Sequence, residues 1–305
     1  MSASDATVTR ATRRGMWLMA GAMLAFIVND AIIKQVSRDL PSGQLIALRG
    51  VFASALLLLL WRFVPQLKGP HSARASLTQL GERPVLIRAL FDAIATVLYL
   101  TALFRIPLAN VTAINMMTPL VIALLALLWW GEPLSPSRWM AILTGFIGTL
   151  CIVQPRADDW NVYSLVAVAS TVFHALRDMT TRRIRADVSS LLLTLSTALA
   201  VLAFALLLSA FQGWQPVTPK QLASLAFAAG FLALGYFMLI ASVRRGDITA
   251  IAPFRYSGLL FALLLGYVFF GELPNALAWV GIGLLLTAGL LITRPEREGV
   301  RHRPP

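Results

Sequence analysis

Ten stretches of this chain are each about as long as the hydrocarbon of a bilayer is thick, and no other feature constrains its fold as much. A helix rising 1.5 Å per residue needs about 20 apolar residues to cross. Such runs occupy residues 16–36, 43–63, 84–104, 109–130, 136–154, 160–181, 189–210, 221–243, 249–270 and 276–293. Only 13% of the residues are charged and 58% are hydrophobic, against about 25% charged in a soluble domain. A water-facing surface cannot be covered at that composition, so the solvent is lipid. In lipid every backbone polar group must be satisfied internally, which selects helices. The expected fold is an all-α integral membrane protein with ten transmembrane helices, its partner the lipid bilayer.

The first run follows Arg10, Arg13 and Arg14, as a signal peptide would. No small-x-small cleavage site follows it, and Asn29-Asp30 interrupts it, so it reads as a retained span. The net charge of +12 does not point to nucleic acid. The basic residues are spread over short connections instead of gathered on one face. With the N-terminus taken as cytoplasmic, inside segments hold 17 Lys and Arg residues, among them Arg62, Arg138, Arg183, Arg244 and Arg294. Outside fall 5, namely Lys34, Arg38, Arg105, Arg156 and Lys220. That asymmetry predicts both termini inside, with tails at 1–15 and 295–305. The single cysteine, Cys151, excludes an internal disulfide and reads as a packing residue.

One phrase occurs twice. WWGEPLSPSRW begins at Trp129 and FFGELPNALAW at Phe269. At an offset of 140, Arg105 meets Arg245, Gly131 meets Gly271, Glu132 meets Glu272, Trp139 meets Trp279 and Pro155 meets Pro295. Nearer the front of each half an offset of 148 pairs Asp30 with Asp178, Lys34 with Arg182 and Asp39 with Asp187. Residues 16–155 and 156–294 are therefore expected to be two five-helix repeats. Five is odd, so the second enters the membrane inverted, the arrangement of inverted-topology repeats. Gly131 and Gly271 suit a left-handed helix end, and Pro133 and Pro274 stop continuation. Trp139 and Trp279 suit the membrane interface. Glu132 and Glu272 are expected to cap the helix that follows each of them.

In its five-plus-five helices, and in the Gly-Glu and proline turn ending the fourth and ninth, the chain resembles the drug/metabolite transporter superfamily, EamA-type branch. Within that branch it is similar to amino-acid exporters of the YddG kind. The resemblance implies a central cavity between the halves, bordered by helices one to four and six to nine, with five and ten bracing the outside. It also implies export of small metabolites.

Polar groups inside spans are costly and tend to line cavities. Helix three carries Arg88, Asp92, Thr96 and Tyr99 as one stripe. Asp92 suits substrate binding or proton carriage, or else an ion pair with an arginine. Helix six carries Tyr163, Ser170, Thr171, His174, Arg177 and Asp178. His174 fits cavity lining, or an interhelical hydrogen bond. Arg177 and Asp178 suit a gate or a structural pair. Arg255 and Tyr256 follow Pro253 on helix nine, and Asn115 is the counterpart of Arg255 on helix four. A guanidinium there suits a carboxylate, with Asp92 or Asp178 expected to neutralise it at rest. Asp30 and Arg49 are expected to form a structural or gating salt bridge. Tyr99 and Tyr236 are the aromatics expected at the pocket. Prolines 119 and 253 should kink helices four and nine.

The candidate substrate contacts are thus Tyr99, His174, Asp92, Asn115, Arg255, Tyr256, Tyr236 and Tyr163. A Walker motif, HExxH and G-x-S-x-G are all absent, so ATP-driven pumping and intramembrane hydrolysis have no residues to carry them. The expectation is a secondary transporter, not an enzyme, working without a cofactor, as a monomer, in a bacterial inner membrane. Its substrate is expected to be a small molecule, with amino acids, aromatic or hydrophobic ones included, implied by the resemblance. A passive channel, or export of drugs, nucleotide precursors or sugars, remain the alternatives.

Overall fold

The computed structural model describes residues 3–64, 77–131, 136–153, 162–181, 183–185, 188–243 and 251–292. Glu132, Pro133, Pro155, Arg156, Arg182, Asp187, Arg244, Arg245 and Pro295, which carry part of the repeat and of the charge asymmetry, lie outside the described residues, as does the tail 295–305.

Ten helices form the fold among the described residues: α1 (Ala3–Val36), α2 (Ser42–Phe63), α3 (Arg83–Leu103), α4 (Leu108–Asn115 and Thr118–Trp130), α5 (Pro136–Val153), α6 (Val162–Thr181), α7 (Ser190–Gln212), α8 (Pro219–Val243), α9 (a 3-10 turn Ala252–Tyr256 leading into Ser257–Phe270) and α10 (Ala276–Ile292). Six are long and apolar enough to cross a membrane, and α5, α9 and α10 are shorter apolar helices. The stripe of hydroxyl, imidazole and charged side chains keeps α6 out of the apolar set. The first helix begins at Ala3, so most of the stretch expected as a tail continues α1.

Both α4 and α9 are irregular at corresponding places. Residues Met116 and Met117 interrupt α4 just before Pro119, which has no N–H to continue the ladder. The 3-10 turn of α9 ends at Tyr256, 140 residues beyond Met116. Both helices then end on glycines in the left-handed conformation, Gly131 at φ 63° and Gly271 at φ 65°.

Packing carries the same symmetry. The main contacts pair α1 with α8 and α6 with α3, α2 with α7, α5 with α10, α3 with α7 and α8 with α2, and α1 with α9 and α6 with α4. Exchanging each helix n with n+5 maps this set onto itself, as a pseudo-twofold relation between two five-helix units requires. The α5–α10 contact is close because Gly148 and Gly281 face each other's backbone: a Cβ on Gly148 would sit 2.8 Å from the carbonyl oxygen of Gly281. Without a hydrophobic drive between helices in lipid, such small residues let dispersion contacts form.

Exposure is inverted relative to a soluble protein. Phe63, Phe211, Leu264 and Phe269 face outward, while Asn29, Asp30, Gln44, Arg49 and Asp92 are buried. Trp139 and Trp279 are both exposed near helix ends.

Candidate functional site

The interior polar groups fall into a mouth and two buried layers. The mouth opens at the end of the bundle away from the first residues of α1, as a cavity of about 1070 Å³. Lys34 and Arg38 at the end of α1, Arg105 after α3, Tyr163 at the start of α6 and Glu272 after α9 are among its lining. Tyr163, expected as a substrate contact, stands at this rim, with the Arg105 guanidinium 5.7 Å from its ring centroid.

Glu272 ties the mouth together. One carboxylate oxygen is 2.7 Å from Lys34 Nζ, and the other accepts from the Leu108 backbone N–H at 2.8 Å. Lys34 also donates to the Ile106 carbonyl at 2.6 Å. The capping expected of Glu272 is therefore directed elsewhere. It caps α4, in the other repeat, not the α10 helix that follows it. A carboxylate at the positive end of α4 lowers the energy of that end, and the Gly271 turn is what swings it there. The role of Lys34 was missed, although the pairing of Lys34 with Arg182 and Glu272 with Glu132 in the repeat was a readable signal.

Beneath the mouth lies the first buried layer. The Tyr99 hydroxyl donates to one Asp30 oxygen at 2.8 Å and Asn29 Nδ2 donates to the other at 2.9 Å. The salt bridge expected between Asp30 and Arg49 does not form. No ion pair within 4 Å engages Arg49 among the described residues, and its Nε has no partner. The neutral donors on α1 and α3 have taken the carboxylate instead. His174 stacks edge-on to Tyr99, with ring centroids 6.3 Å apart, and its Nδ1 is buried without a partner. Tyr236 meets Phe26 in a T-shaped contact at 5.2 Å.

The second layer lies toward the opposite end. Arg177 on α6 holds Asp92 on α3 at 2.9 Å and Asp178 at 2.9 Å. Arg88 reaches Asp92 at 3.5 Å and donates to Thr197 at 2.8 Å and to Thr181 at 3.0 Å. Thr197 donates in turn to Asp92 at 2.8 Å. Asp92 is 2% exposed, and its charge is compensated by two guanidinium groups and a hydroxyl. The structural reading of Asp92 fits this arrangement better than substrate contact does.

Arg255 departs from its expected neutralisation. Arg88 and Arg177 have occupied Asp92 and Asp178, and Arg255 is exposed at the α9 turn. Tyr256 turns toward α10, where its ring lies against Gly289, so it faces the bracing pair and not the interior. Asn115 sits at the α4 break with a buried, unpartnered Oδ1. Of the expected contacts, Tyr99 and His174 meet in one layer, Asp92 lies in the other, and Tyr163 and Tyr256 lie apart from both.

Comparison with known proteins agrees with this architecture. A solved crystal structure 21% identical in sequence superposes with a TM-score of 0.59, covering 91% of this chain and 95% of its own. Curated relatives match nearly end to end, and three of them represent the range of names. The pseudopaline exporter CntI of Pseudomonas aeruginosa is 26% identical over 93% of this chain and 98% of its own length. The riboflavin transporter of Vibrio cholerae is 28% identical over 94% and 95%. An S-adenosylmethionine uptake transporter of Rickettsia conorii is 26% identical over 98% of both. All three are small-molecule transporters by name, in keeping with a multi-pass membrane protein that is not an enzyme. The EamA-like transporter family matches twice, over residues 13–154 and 161–294, and the chain belongs to that family.

Proposed function

We propose that the chain is a secondary carrier that moves a small organic solute by alternating access. The observation that carries this reading is the one-sidedness of the interior. A mouth of about 1070 Å³ opens at one face, while toward the other the Arg88–Asp92–Arg177–Asp178 lattice ties α3, α6 and α7 together. A carrier at rest has one open and one closed end; an open pore has neither end tied. The pseudo-twofold packing supplies a route between states, since two like units can exchange conformations and move the opening across.

The basic residues of the connections favour both termini in the cytoplasm of a bacterial inner membrane, so the mouth faces away from the cytoplasm. Repeats 16–155 and 156–294 together enclose the whole path, and one chain suffices. Export of amino acids, aromatic or hydrophobic ones included, is the finer reading. It is supported by the resemblance to such exporters and by the aromatic edges of Phe26, Tyr99 and Tyr236 beside polar groups. The names of the relatives do not share a direction, one being an exporter and another an uptake transporter.

The test is counterflow in liposomes holding the purified protein. Vesicles are preloaded with unlabelled amino acids, riboflavin or S-adenosylmethionine and offered the labelled solute outside. A carrier gives saturable uptake accelerated by its solute on the far side. Flux that rises linearly with concentration and ignores the inner solute overturns the reading in favour of a channel.

A further inference from the structure

A second, smaller cavity of about 80 Å³ lies where α2, α3, α7 and α8 meet. Its lining is paired by the internal repeat. Arg49 and Thr197, Gly50 and Ala198, and Ala53 and Val201 all border it, each pair 148 residues apart. Thr96 and Tyr236 border it too, 140 apart. The cavity therefore straddles the pseudo-twofold axis. When two inverted repeats exchange conformations, the axis is the one place whose surroundings are equivalent before and after. A group bound there can be passed to either side.

Chemically the lining is not symmetric. One repeat supplies a guanidinium where the other supplies the Thr197 hydroxyl. Arg49 is 6% exposed, and its Nε finds no acceptor. The carboxylate nearest in charge, Asp30, spends its oxygens on Tyr99 and Asn29. Arg88 and Arg177, by contrast, are engaged by Asp92. Tyr236 also borders the cavity and brings a phenol hydroxyl to its lining. A guanidinium in such a place is a fork of donors shaped for a planar carboxylate. A space of about 80 Å³ admits several waters or a carboxylate head, not a whole solute, so it reads one end of its ligand.

We propose that this axial cavity is a carboxylate-binding subsite in which Arg49 and Tyr236 dock the acidic end of the transported solute. The proposal rests on the carrier reading but can fail separately from it. The purified wild type and the variants Arg49→Gln, Arg49→Lys and Tyr236→Phe are titrated with phenylalanine, leucine and glutamine. Each amino acid is paired with its carboxamide, thermal unfolding reports binding, and counterflow is measured in liposomes.

At least one free acid is expected to bind ten-fold or more tightly than its amide in the wild type. Arg49→Gln should erase that preference while leaving amide binding unchanged, and Arg49→Lys should restore part of it. Tyr236→Phe should reduce it several-fold. Equal weakening of acid and amide, or no preference for any acid in the wild type, overturns the subsite. If the preference follows Arg49 but counterflow is absent, the subsite stands and the carrier reading falls. Counterflow that Arg49→Gln leaves untouched for the acid has the opposite result.

Discussion

Arg177 and Arg49 are both interior arginines of the same bundle, held in opposite ways. Arg177 has two carboxylates at 2.9 Å; Arg49 has none within 4 Å among the described residues and an idle Nε. A compensated charge of the first kind holds helices in place, because removing one partner strands the other in a medium that solvates it poorly. An uncompensated charge of the second kind contributes nothing comparable to folding. Its persistence inside a membrane bundle points to work done on something that comes and goes. The difference teaches which polar residues of this interior to assign to architecture and which to transport.

The largest effect is expected where compensation is most complete. Arg177→Gln leaves Asp92 with the more distant Arg88, at 3.5 Å, and the Thr197 hydroxyl, and should destabilise the folded protein by about 3–5 kcal/mol. Thermal unfolding in detergent checks it, and a loss under about 1 kcal/mol would dissolve the contrast between the two arginines. Next comes the mouth. Glu272→Gln removes the charge shared by Lys34 and the Leu108 N–H and should cost about 1.5–3 kcal/mol, the range of charged hydrogen bonds. In a double-mutant cycle with Lys34→Gln the two losses should fall short of additivity, since the residues touch.

Smaller still is the layer around Asp30. Tyr99→Phe deletes one of two donors to that carboxylate and should cost about 1–2 kcal/mol. It should also lower the transport rate at equal expression. His174→Ala removes a ring that meets Tyr99 edge-on and whose Nδ1 has no partner, so the loss of stability should be about 1–1.5 kcal/mol while transport falls. Unchanged counterflow in both variants would take this layer out of the path.

Much of the architecture could be read from the chain, for a physical reason: lipid admits few solutions. Among the described residues ten apolar runs give ten helices whose ends are displaced by only a few residues, except that α1 begins at Ala3 and not near residue 16, and Gly131 and Gly271 adopt the positive φ that their position in the repeated phrase requires. The site was less legible, because sequence gives depth but not azimuth. Asp30 and Arg49 fall at similar depth, yet Tyr99 reaches the carboxylate first. Arg255 shares its depth with Asp92, but Arg88 and Arg177 stand on the nearer faces. Glu272 was recognisable as a cap; that it would cross to the other repeat depends on which helix end its turn meets. Such choices are made by rotation about helix axes, and the spacing of residues along one helix does not encode the rotation of its neighbour.

The smallest expected stability effect discriminates best between the two arginines. Arg49→Gln removes a buried guanidinium that has no direct counter-ion, and its desolvation costs several kcal/mol in the folded state. Against that stands only attraction through space to Asp30, which at separations beyond a contact and an effective dielectric constant of about 20 amounts to a few kcal/mol at most. Asp30 keeps both of its hydrogen bonds in the variant, so its carboxylate is not left without donors. The two contributions nearly cancel, and unfolding of Arg49→Gln should shift by no more than about 1 kcal/mol, with a gain as acceptable as a loss. A loss comparable to that of Arg177→Gln would mean that Arg49 is already neutralised within the fold. The axial cavity would then have no charge to offer a carboxylate.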